Sequence, residues 1–264
     1  MKVVVITGST RGIGLGLAES FLARDCVVVV SGRTQKSTNA AMGILTSKHQ
    51  EDHILCVPCD VRDPHDVQNL WEIAKSHFGK IDIWINNAGL SGTIAKIWEL
   101  DTLQVQAVVE TNILGTIYGS QVAVKGMMDQ GFGAIYNMEG MGSDGRRHTD
   151  GLAVYGMSKY GLNYFNKCLV DEVKDNPITI GMLKPGMVMT EFVTSQFADR
   201  PEEFEHSKKI FNIIADRVDT VTPWLADKIL ANQKSGVTIS WSNSWKIMGR
   251  FLMSTFKKRD LFRD

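Results

Sequence analysis

Apolar runs of strand length alternate with segments of helical period along the chain, and this alternation constrains the fold more than any other feature. The runs are Val3–Thr7, Val27–Ser31, His53–Pro58, Ile81–Asn86, Ala134–Met138, Ile178–Leu183 and Val237–Ser240. Strands that are apolar throughout have both faces covered, as in a parallel sheet built from βαβ units. The sequence therefore predicts an α/β fold with a doubly wound, seven-stranded parallel sheet and helices on both faces.

Helical segments separate these runs, at Gly12–Arg24, Ser37–Gln50, Pro64–Phe78, Leu103–Met128, Ala153–Lys174 and Val221–Gln233. Pro64, Pro201 and Pro223 are predicted to lie in first helical turns, with Asp63 and Thr222 as N-caps. We find no internal repeat or linker in the 264 residues, of which 44% are apolar. The prediction is a single domain over residues 1–264.

Composition excludes several function classes. Lys plus Arg and Asp plus Glu balance at 29 each, so the chain has no basic field for nucleic acid. No apolar run approaches the roughly 18 residues of a membrane span, and Met1-Lys2 leads directly into a strand, so we predict a cytoplasmic protein with no transmembrane segment. The motif Cys56-Val57-Pro58-Cys59 has no second ligand pair, which favours buried thiols and no metal site.

A glycine-rich turn closes the first strand and opens the first helix. Glycines there let the backbone approach a ligand, and the helix directs its first N–H groups at a pyrophosphate. This order of strand, turn and helix predicts a Rossmann-like dinucleotide site. The predicted cofactor-binding residues of the turn are Gly8, Ser9, Thr10, Arg11, Gly12, Ile13 and Gly14.

Two arginines indicate which dinucleotide binds. The second strand ends in Ser31-Gly32-Arg33-Thr34, without the carboxylate that holds a ribose diol in NAD sites. Arg33 and Arg11 would suit a 2′-phosphate, so NADP(H) is the predicted cofactor; the alternative is that both are exposed loop residues. Asp60 and Val61, after the third strand, are predicted to meet the adenine.

Tyr155 and Lys159 are the candidate catalytic pair. Residues four apart share one helix face, so the Lys159 ammonium can stand beside the Tyr155 phenol and favour its ionised form. A phenol of this kind could exchange protons near neutral pH. Most such pairs are solvated helix faces, so this pair gains weight only from the motifs around it.

Several ordered motifs together give the chain a family resemblance. They are Thr7-Gly8-Ser9-Thr10-Arg11-Gly12-Ile13-Gly14, Asn86-Asn87-Ala88-Gly89, Asn112, Tyr155-x-x-x-Lys159, and Pro185-Gly186 ahead of Thr190-Glu191. With these motifs the chain resembles the short-chain dehydrogenase/reductase family over nearly its whole length. The resemblance implies a reaction in which Tyr155 gives a proton to a carbonyl oxygen as NADPH reduces the carbon.

The resemblance also assigns roles to individual residues. It implies that Asn112 holds a water in a proton relay with Lys159, and that Lys159 contacts the nicotinamide ribose. The remaining cofactor contacts that it implies are Asn87, Ala88, Gly89, Tyr155, Pro185, Gly186 and Thr190. It further implies a homodimer or homotetramer that shares the helices near Leu103–Met128 and Ala153–Lys174.

One position departs from the family pattern. The family carries a Ser thirteen residues before the Tyr, where it polarises the substrate carbonyl, but Gly142 stands there in this chain. Ser143 is the nearest hydroxyl, and the glycine-rich loop around it could bring it to the same point. We therefore predict Ser143 as the fourth catalytic residue; the alternatives are Tyr155 alone or another donor.

Local motifs indicate a substrate class. The Asn137-Met138-Glu139-Gly140 stretch, the residues around Tyr155, Pro185 to Glu191, and Phe211-Asn212-Ile213-Ile214 look like the chlorophyll b reductase branch of the family. That resemblance implies NADPH-dependent reduction of a ring formyl group on a bulky apolar substrate. The alternatives are a hydroxysteroid or small-alcohol dehydrogenase/reductase and, in another class, a non-catalytic NADP(H)-binding sensor or scaffold.

Two segments of unusual composition remain. Residues 187–214 mix Phe192, Phe197, Phe204 and Phe211 with acidic residues and are predicted to form a substrate lid; the alternative is helices that pack their aromatic residues on the core. Residues 241–264 form a basic, aromatic C-terminal tail. We favour packing of this tail on its own or a partner subunit over contact with a membrane.

Overall fold

A parallel seven-stranded sheet forms the centre of the computed structural model, which describes residues 1–146, 148–197, 200–254 and 259–262. The strands are β1 (Val3–Ile6), β2 (Val27–Gly32), β3 (Ile54–Pro58), β4 (Ile83–Asn86), β5 (Gly133–Met138), β6 (Ile178–Lys184) and β7 (Val237–Ser240). Their spatial order is β3-β2-β1-β4-β5-β6-β7, and every pairing is parallel. The predicted fold class is confirmed.

Both faces of the sheet are buried, as the apolar strands required. In β1, Val4 and Ile6 enter one core layer, whereas Val3 and Val5 enter the other. This alternation follows from the two-residue period of a strand. Each layer is completed by helices, so the carboxyl edge of the sheet and the loops above it are left to form a ligand crevice.

Ten α-helices connect and flank the strands in the described part of the chain. They are α1 (Gly12–Leu22), α2 (Gln35–Thr46), α3 (Pro64–Phe78), α4 (Thr102–Val109), α5 (Gly115–Gln130), α6 (Ala153–Glu172), α7 (Glu191–Thr194), α8 (Pro201–Ile214), α9 (Val218–Ala231) and α10 (Ser244–Met253). The helix predicted at Leu103–Met128 is present as unbroken helical backbone from Thr102 to Gln130. A π-helical turn at Glu110–Leu114, which was not predicted, divides it into α4 and α5.

The predicted helix starts are partly confirmed. Asp63 caps α3 by accepting from the His65 N–H at 2.8 Å, and Pro64 and Pro201 begin their helices. Thr222 is not an N-cap, because α9 begins at Val218 and places Thr222 and Pro223 in its interior. The Thr222 hydroxyl instead accepts from Ser20 Oγ at 3.1 Å, which joins α9 to α1.

The segment after β6 is largely helical. Phe197, Phe204 and Phe211 pack on one another with ring centroids 5.5 to 6.3 Å apart, and Phe211 is buried. This geometry agrees with the alternative of aromatic residues packed on the core. The lid over residues 187–214 stays a prediction, and residues 198 and 199 of it lie outside the described residues.

The C-terminal helix α10 turns its basic side chains inward. Arg250 binds the buried carboxylate of Asp216 at 2.8 Å, and the Lys246 ammonium lies 3.4 Å from the centre of the Trp241 ring. Its apolar side chains face outward, and Trp245 is 77% exposed. The tail therefore packs on its own subunit through its charges. Phe256, Lys257, Lys258 and Arg263 of the predicted tail lie outside the described residues.

Candidate active site

The glycine-rich turn needs its glycines for two physical reasons. Gly8 has a φ of +61°, and a Cβ at this position would lie 2.7 Å from the Cα of Ala88. A Cβ at Gly14 would lie 2.6 Å from the carbonyl oxygen of Gly8. Any side chain at these positions would collide with neighbouring backbone, so only glycine lets the turn pack this closely on itself and on the loop after β4. We call this turn the cradle, and its contact with a cofactor stays a prediction.

The first N–H groups of α1 face the cradle without a side-chain cap, because Arg11 occupies the N-cap position in an extended conformation. Uncapped N–H groups and the positive end of the helix dipole suit a phosphate group. Ser9 has a different role. Its hydroxyl donates to the Ile6 carbonyl at 2.6 Å and accepts from the Ser31 N–H at 2.9 Å, which ties the turn to β2.

Asn87, Ala88 and Gly89 connect this cradle to Lys159. The Asn87 amide donates to the carbonyls of Thr7 and Gly8, both at 2.9 Å. Two residues further on, a Cβ at Gly89 would lie 3.8 Å from Lys159 Nζ. The predicted cofactor edge and the predicted catalytic pair therefore belong to one continuous site.

Arg11 reaches across the mouth of the cradle to the segment after β6. Its guanidinium binds Glu191 at 2.9 Å, and both side chains are exposed. Thr190 lies over the turn, since a Cβ at Gly12 would be 3.5 Å from the Thr190 methyl group. An exposed ion pair of this kind contributes little stability, so Arg11 can exchange Glu191 for another anion.

The residues predicted to meet the adenosine end lie along β2 and β3. Arg33 is exposed at the end of β2. The carboxylate of Asp60 accepts hydrogen bonds from Nε and Nη2 of Arg62, and these bonds hold the pKa of Asp60 below its usual value. Val61 is buried under Gly115. The Asp60 carboxylate is therefore already paired with Arg62, whereas the Arg33 side chain is exposed to solvent.

Pro185 and Gly186 turn the chain away from β6. Gly186 has a φ of +75°, and a Cβ there would lie 2.6 Å from the Ser242 hydroxyl oxygen. The turn carries the chain from the carboxyl edge of the sheet towards Thr190, where α7 begins. The cofactor contacts of Pro185, Gly186 and Thr190 stay predictions.

Asn112 lies in the π-helical turn and is fully buried. Its amide accepts from the Leu90 N–H and donates to the Leu90 carbonyl, both at 2.8 Å, and it also donates to Ser158 Oγ at 2.9 Å. π-Helical turns often occur at functional sites. Here the turn lets one side chain join the loop after β4 to α6. The water relay implied for Asn112 stays a prediction.

Tyr155 and Lys159 stand next to each other on α6. The Lys159 ammonium lies 5.9 Å from the centre of the Tyr155 ring and donates to the Met138 carbonyl at 3.0 Å. Burial lowers the pKa of Lys159 to about 8 and raises the pKa of Tyr155 to about 12. The expected ionisation of Tyr155 near neutral pH is therefore absent in this state, because desolvation outweighs the nearby cation.

The residue that faces the Tyr155 hydroxyl is Gly140. A Cβ there would lie 2.2 Å from the phenol oxygen. Ser143 is fully buried, and its hydroxyl donates to Glu139 at 2.9 Å. The geometry therefore gives no support to Ser143 as the group that holds a substrate carbonyl. At Gly142, thirteen residues before Tyr155, a Cβ would instead meet the backbone of Gly156.

A cavity of about 340 Å³ opens beside Tyr155. Its lining is mostly apolar and aromatic, with Met141, Leu152, Met157 and Tyr160, and His148 adds a polar group. Such a lining suits a largely apolar ligand with few hydrogen-bonding groups. No group of three or more His, Cys, Asp or Glu side chains in the described chain could hold a metal ion.

A sequence model described as short chain dehydrogenase matches residues 2–201. The chain belongs to this family, so the predictions of the family and of a dehydrogenase or reductase enzyme are confirmed.

A probable chlorophyll(ide) b reductase of Oryza sativa subsp. japonica, described as chloroplastic, is 33% identical over 93% of this chain and 50% of its own length. A second chlorophyll(ide) b reductase of that organism is 35% identical over 86% of this chain and 66% of its own length. The predicted resemblance to this branch is confirmed. This chain spans only about half of the first relative, and the cytoplasmic location stays a prediction because both relatives are described as chloroplastic.

A solved structure described as ElxO with NADP bound is 27% identical and has a TM-score of 0.78 over 90% of this chain and 96% of that chain. As for membrane contact, none of the helices in the described ranges is both long and apolar enough to cross a bilayer.

Proposed function

We propose that this protein is an NADP(H)-dependent oxidoreductase that transfers a hydride between the nicotinamide and a carbonyl or alcohol. The observation that carries the proposal is the continuous path from the glycine cradle to the catalytic pair. Asn87 binds the cradle at Gly8, and Gly89 lies next to Lys159. A dinucleotide seated on the cradle would thus end at Tyr155.

The shape of the cradle supports a dinucleotide. Glycine at positions 8 and 14 allows a tight turn without side chains between the first strand and α1, and the uncapped start of α1 supplies N–H donors for a pyrophosphate. Arg11 and Arg33 are exposed cations without a competing carboxylate at the end of β2, which favours a 2′-phosphate. The ElxO structure with NADP bound supports the same choice.

The chemistry divides between cofactor and protein. When bound, the reduced nicotinamide supplies the hydride. The Tyr155 phenol, which is protonated at neutral pH, donates its proton to the substrate oxygen. The Lys159 ammonium stabilises the phenolate that this transfer leaves, and its charge is present below a pKa of about 8. Asn112 fixes α6 against the loop after β4, which keeps the pair in place.

The cavity and the relatives support a bulky apolar ring substrate that carries a formyl or keto group. Its methionine and tyrosine lining can adapt to a large apolar face, and both rice relatives are described as chlorophyll(ide) b reductases. A hydroxysteroid or a small alcohol is the alternative substrate within the same chemistry.

A non-catalytic sensor or scaffold that binds NADP(H) is the second candidate function. Gly140 favours it, because no side chain at that position can hold a carbonyl oxygen beside Tyr155. Against it stands the burial of Lys159 beside Tyr155, since burial of a lysine is costly without a catalytic use.

A measurement of catalytic turnover distinguishes the oxidoreductase from the non-catalytic sensor or scaffold. We would follow NADPH oxidation with formyl-bearing and keto-bearing tetrapyrroles, steroid ketones and small aldehydes, using the wild-type protein and Tyr155→Phe. Tyr164→Phe is a matched control, because it removes an exposed hydroxyl from the same helix. The proposal requires turnover of a ring carbonyl that Tyr155→Phe abolishes and Tyr164→Phe retains. NADPH binding without turnover of any probe would support the sensor instead.

We also propose that α6 is part of the surface of a homodimer or homotetramer. Met157, Tyr160 and Tyr164 lie three and four residues apart and are all exposed. A row of large apolar side chains on one helix face is typical of a protein interface. Light scattering of the wild-type protein and of Tyr164→Glu tests this proposal. It predicts that the variant forms a smaller assembly, with a lower molecular mass than the wild type.

A further inference from the structure

Glu139 is a buried carboxylate that no role given above uses. It follows the end of β5 and is 4% exposed. Its backbone N–H donates to the Leu183 carbonyl at 2.8 Å, so the edge of the sheet fixes its position. Glutamate is almost never buried to this degree unless it is paired. The partners of Glu139 therefore indicate what it does.

Two neutral donors hold its oxygens. Ser143 Oγ donates to one carboxylate oxygen at 2.9 Å, and the Asn163 amide of α6 donates to the other at 3.1 Å. These bonds tie the loop that begins at Glu139 to the helix that carries Tyr155 and Lys159. They satisfy the hydrogen-bonding capacity of the oxygens but carry no positive charge.

The Lys159 ammonium approaches the same stretch of backbone. It binds the carbonyl of Met138, the residue directly before Glu139. The negative charge of Glu139 raises the pKa of Lys159 and partly offsets the lowering that burial causes. Of the other ionisable groups around this loop, Asp144 is paired with Lys184 at 3.5 Å, and Tyr155 is neutral below a pKa of about 12.

We propose that Glu139 is a positioning residue for the Tyr155–Lys159 pair. Its buried charge keeps Lys159 in the ammonium form, and its two oxygens hold the loop at Ser143 against α6 at Asn163. The carboxylate thus takes no part in proton transfer to the substrate. It sets the charge of the lysine on which that transfer depends, and this consequence for turnover rests on the proposed function.

The test is the titration of Lys159 followed by side-chain NMR of lysine-labelled protein, with Lys159→Arg to assign the resonance. Glu139→Gln keeps the shape and the hydrogen-bonding capacity but removes the charge. We expect its Lys159 midpoint to fall by about one pH unit relative to wild type. Ser143→Ala is the control, because it removes a hydrogen bond and keeps the charge. The titration midpoint of Lys159 in Ser143→Ala should equal that of the wild type.

An unchanged Lys159 midpoint in Glu139→Gln would overturn the proposal. If that variant does not fold, a double variant with Lys159→Met decides the question. Recovery of the fold when both charges are removed supports charge coupling, whereas an unfolded double variant shows that Glu139 is needed for structure alone.

Activity provides a separate readout. The alkaline limb of the pH profile of kcat/KM should move with the NMR midpoint. A shifted midpoint without turnover of any carbonyl probe would refute the proposed function and leave the role of Glu139 standing. Turnover of a carbonyl probe with an unshifted Lys159 midpoint would support the proposed function and refute the role of Glu139.

Discussion

A single methyl group at Gly140 should disable the enzyme without unfolding it. The Cβ of Gly140→Ala would lie 2.2 Å from the Tyr155 phenol oxygen, whereas ordinary contact begins at 3.4 Å. The phenol would have to move by roughly 1 Å, and a displacement of that size at a reacting group costs about 100-fold in rate. That loss corresponds to about 2.7 kcal/mol of transition-state stabilisation.

The fold should tolerate the change. Tyr155 is only half-buried and can turn towards the neighbouring cavity, and Gly140 does not have a positive φ. We therefore expect kcat/KM to fall about 100-fold, with a melting temperature close to that of the wild type.

Gly161→Ala provides the matched control. Gly161 lies in α6, six residues after Tyr155, and a Cβ there would meet no atom within 4 Å. This variant should keep wild-type kcat/KM and gain up to about 1 kcal/mol of stability from its higher helix propensity. Wild-type kcat/KM in Gly140→Ala, measured with a verified carbonyl substrate and NADPH, would refute the placement of the phenol.

Three further predictions concern charge. Arg33→Ala should weaken NADPH binding roughly tenfold and leave NADH binding unchanged, because only NADPH carries the phosphate that the guanidinium would bind; fluorescence titration with both cofactors measures this, and equal losses would contradict it. Glu191→Gln should strengthen NADPH binding by about two- to threefold, since it releases Arg11 from the exposed ion pair; weaker binding in the same titration would count against a role for Arg11. The kcat/KM for carbonyl reduction should stay level below pH 8 and fall above it, because the Lys159 ammonium loses its proton at a pKa of about 8; a rate that rises through this range would show that the neutral amine is the active form.

The sequence predicted the sheet well because each strand is apolar on both faces. β7 was found with its bounds, and α3 was correct at both ends, where Asp63 and Pro64 mark its start. The π-helical turn was missed because Glu110–Leu114 contains no proline or glycine, so the sequence carries no signal that interrupts the helix there. Helix α10 was missed because its apolar side chains point outward and its charges point inward, the reverse of the usual pattern.

For the candidate site, too, some residues could be predicted from the sequence and others could not. Gly8, Asn87 and Lys159 were predicted from ordered motifs, and the structure brings them into one crevice. The contacts of Ser143 could not be predicted, because the conformation of a glycine-rich loop depends on its packing against α6. Glu139 carried one signal, an acidic residue at the end of a buried strand, but only the structure shows that Lys159 lies beside it.

The single-turnover rate of NADPH oxidation by Tyr155→Phe tests the central claim most directly, with NADPH affinity measured on the same protein. We predict unchanged affinity and a rate that is lower by about 10² to 10⁴-fold, because the variant retains the binding cradle and loses the proton donor. A wild-type rate in this variant would show that Tyr155 is not the proton donor and would contradict the account.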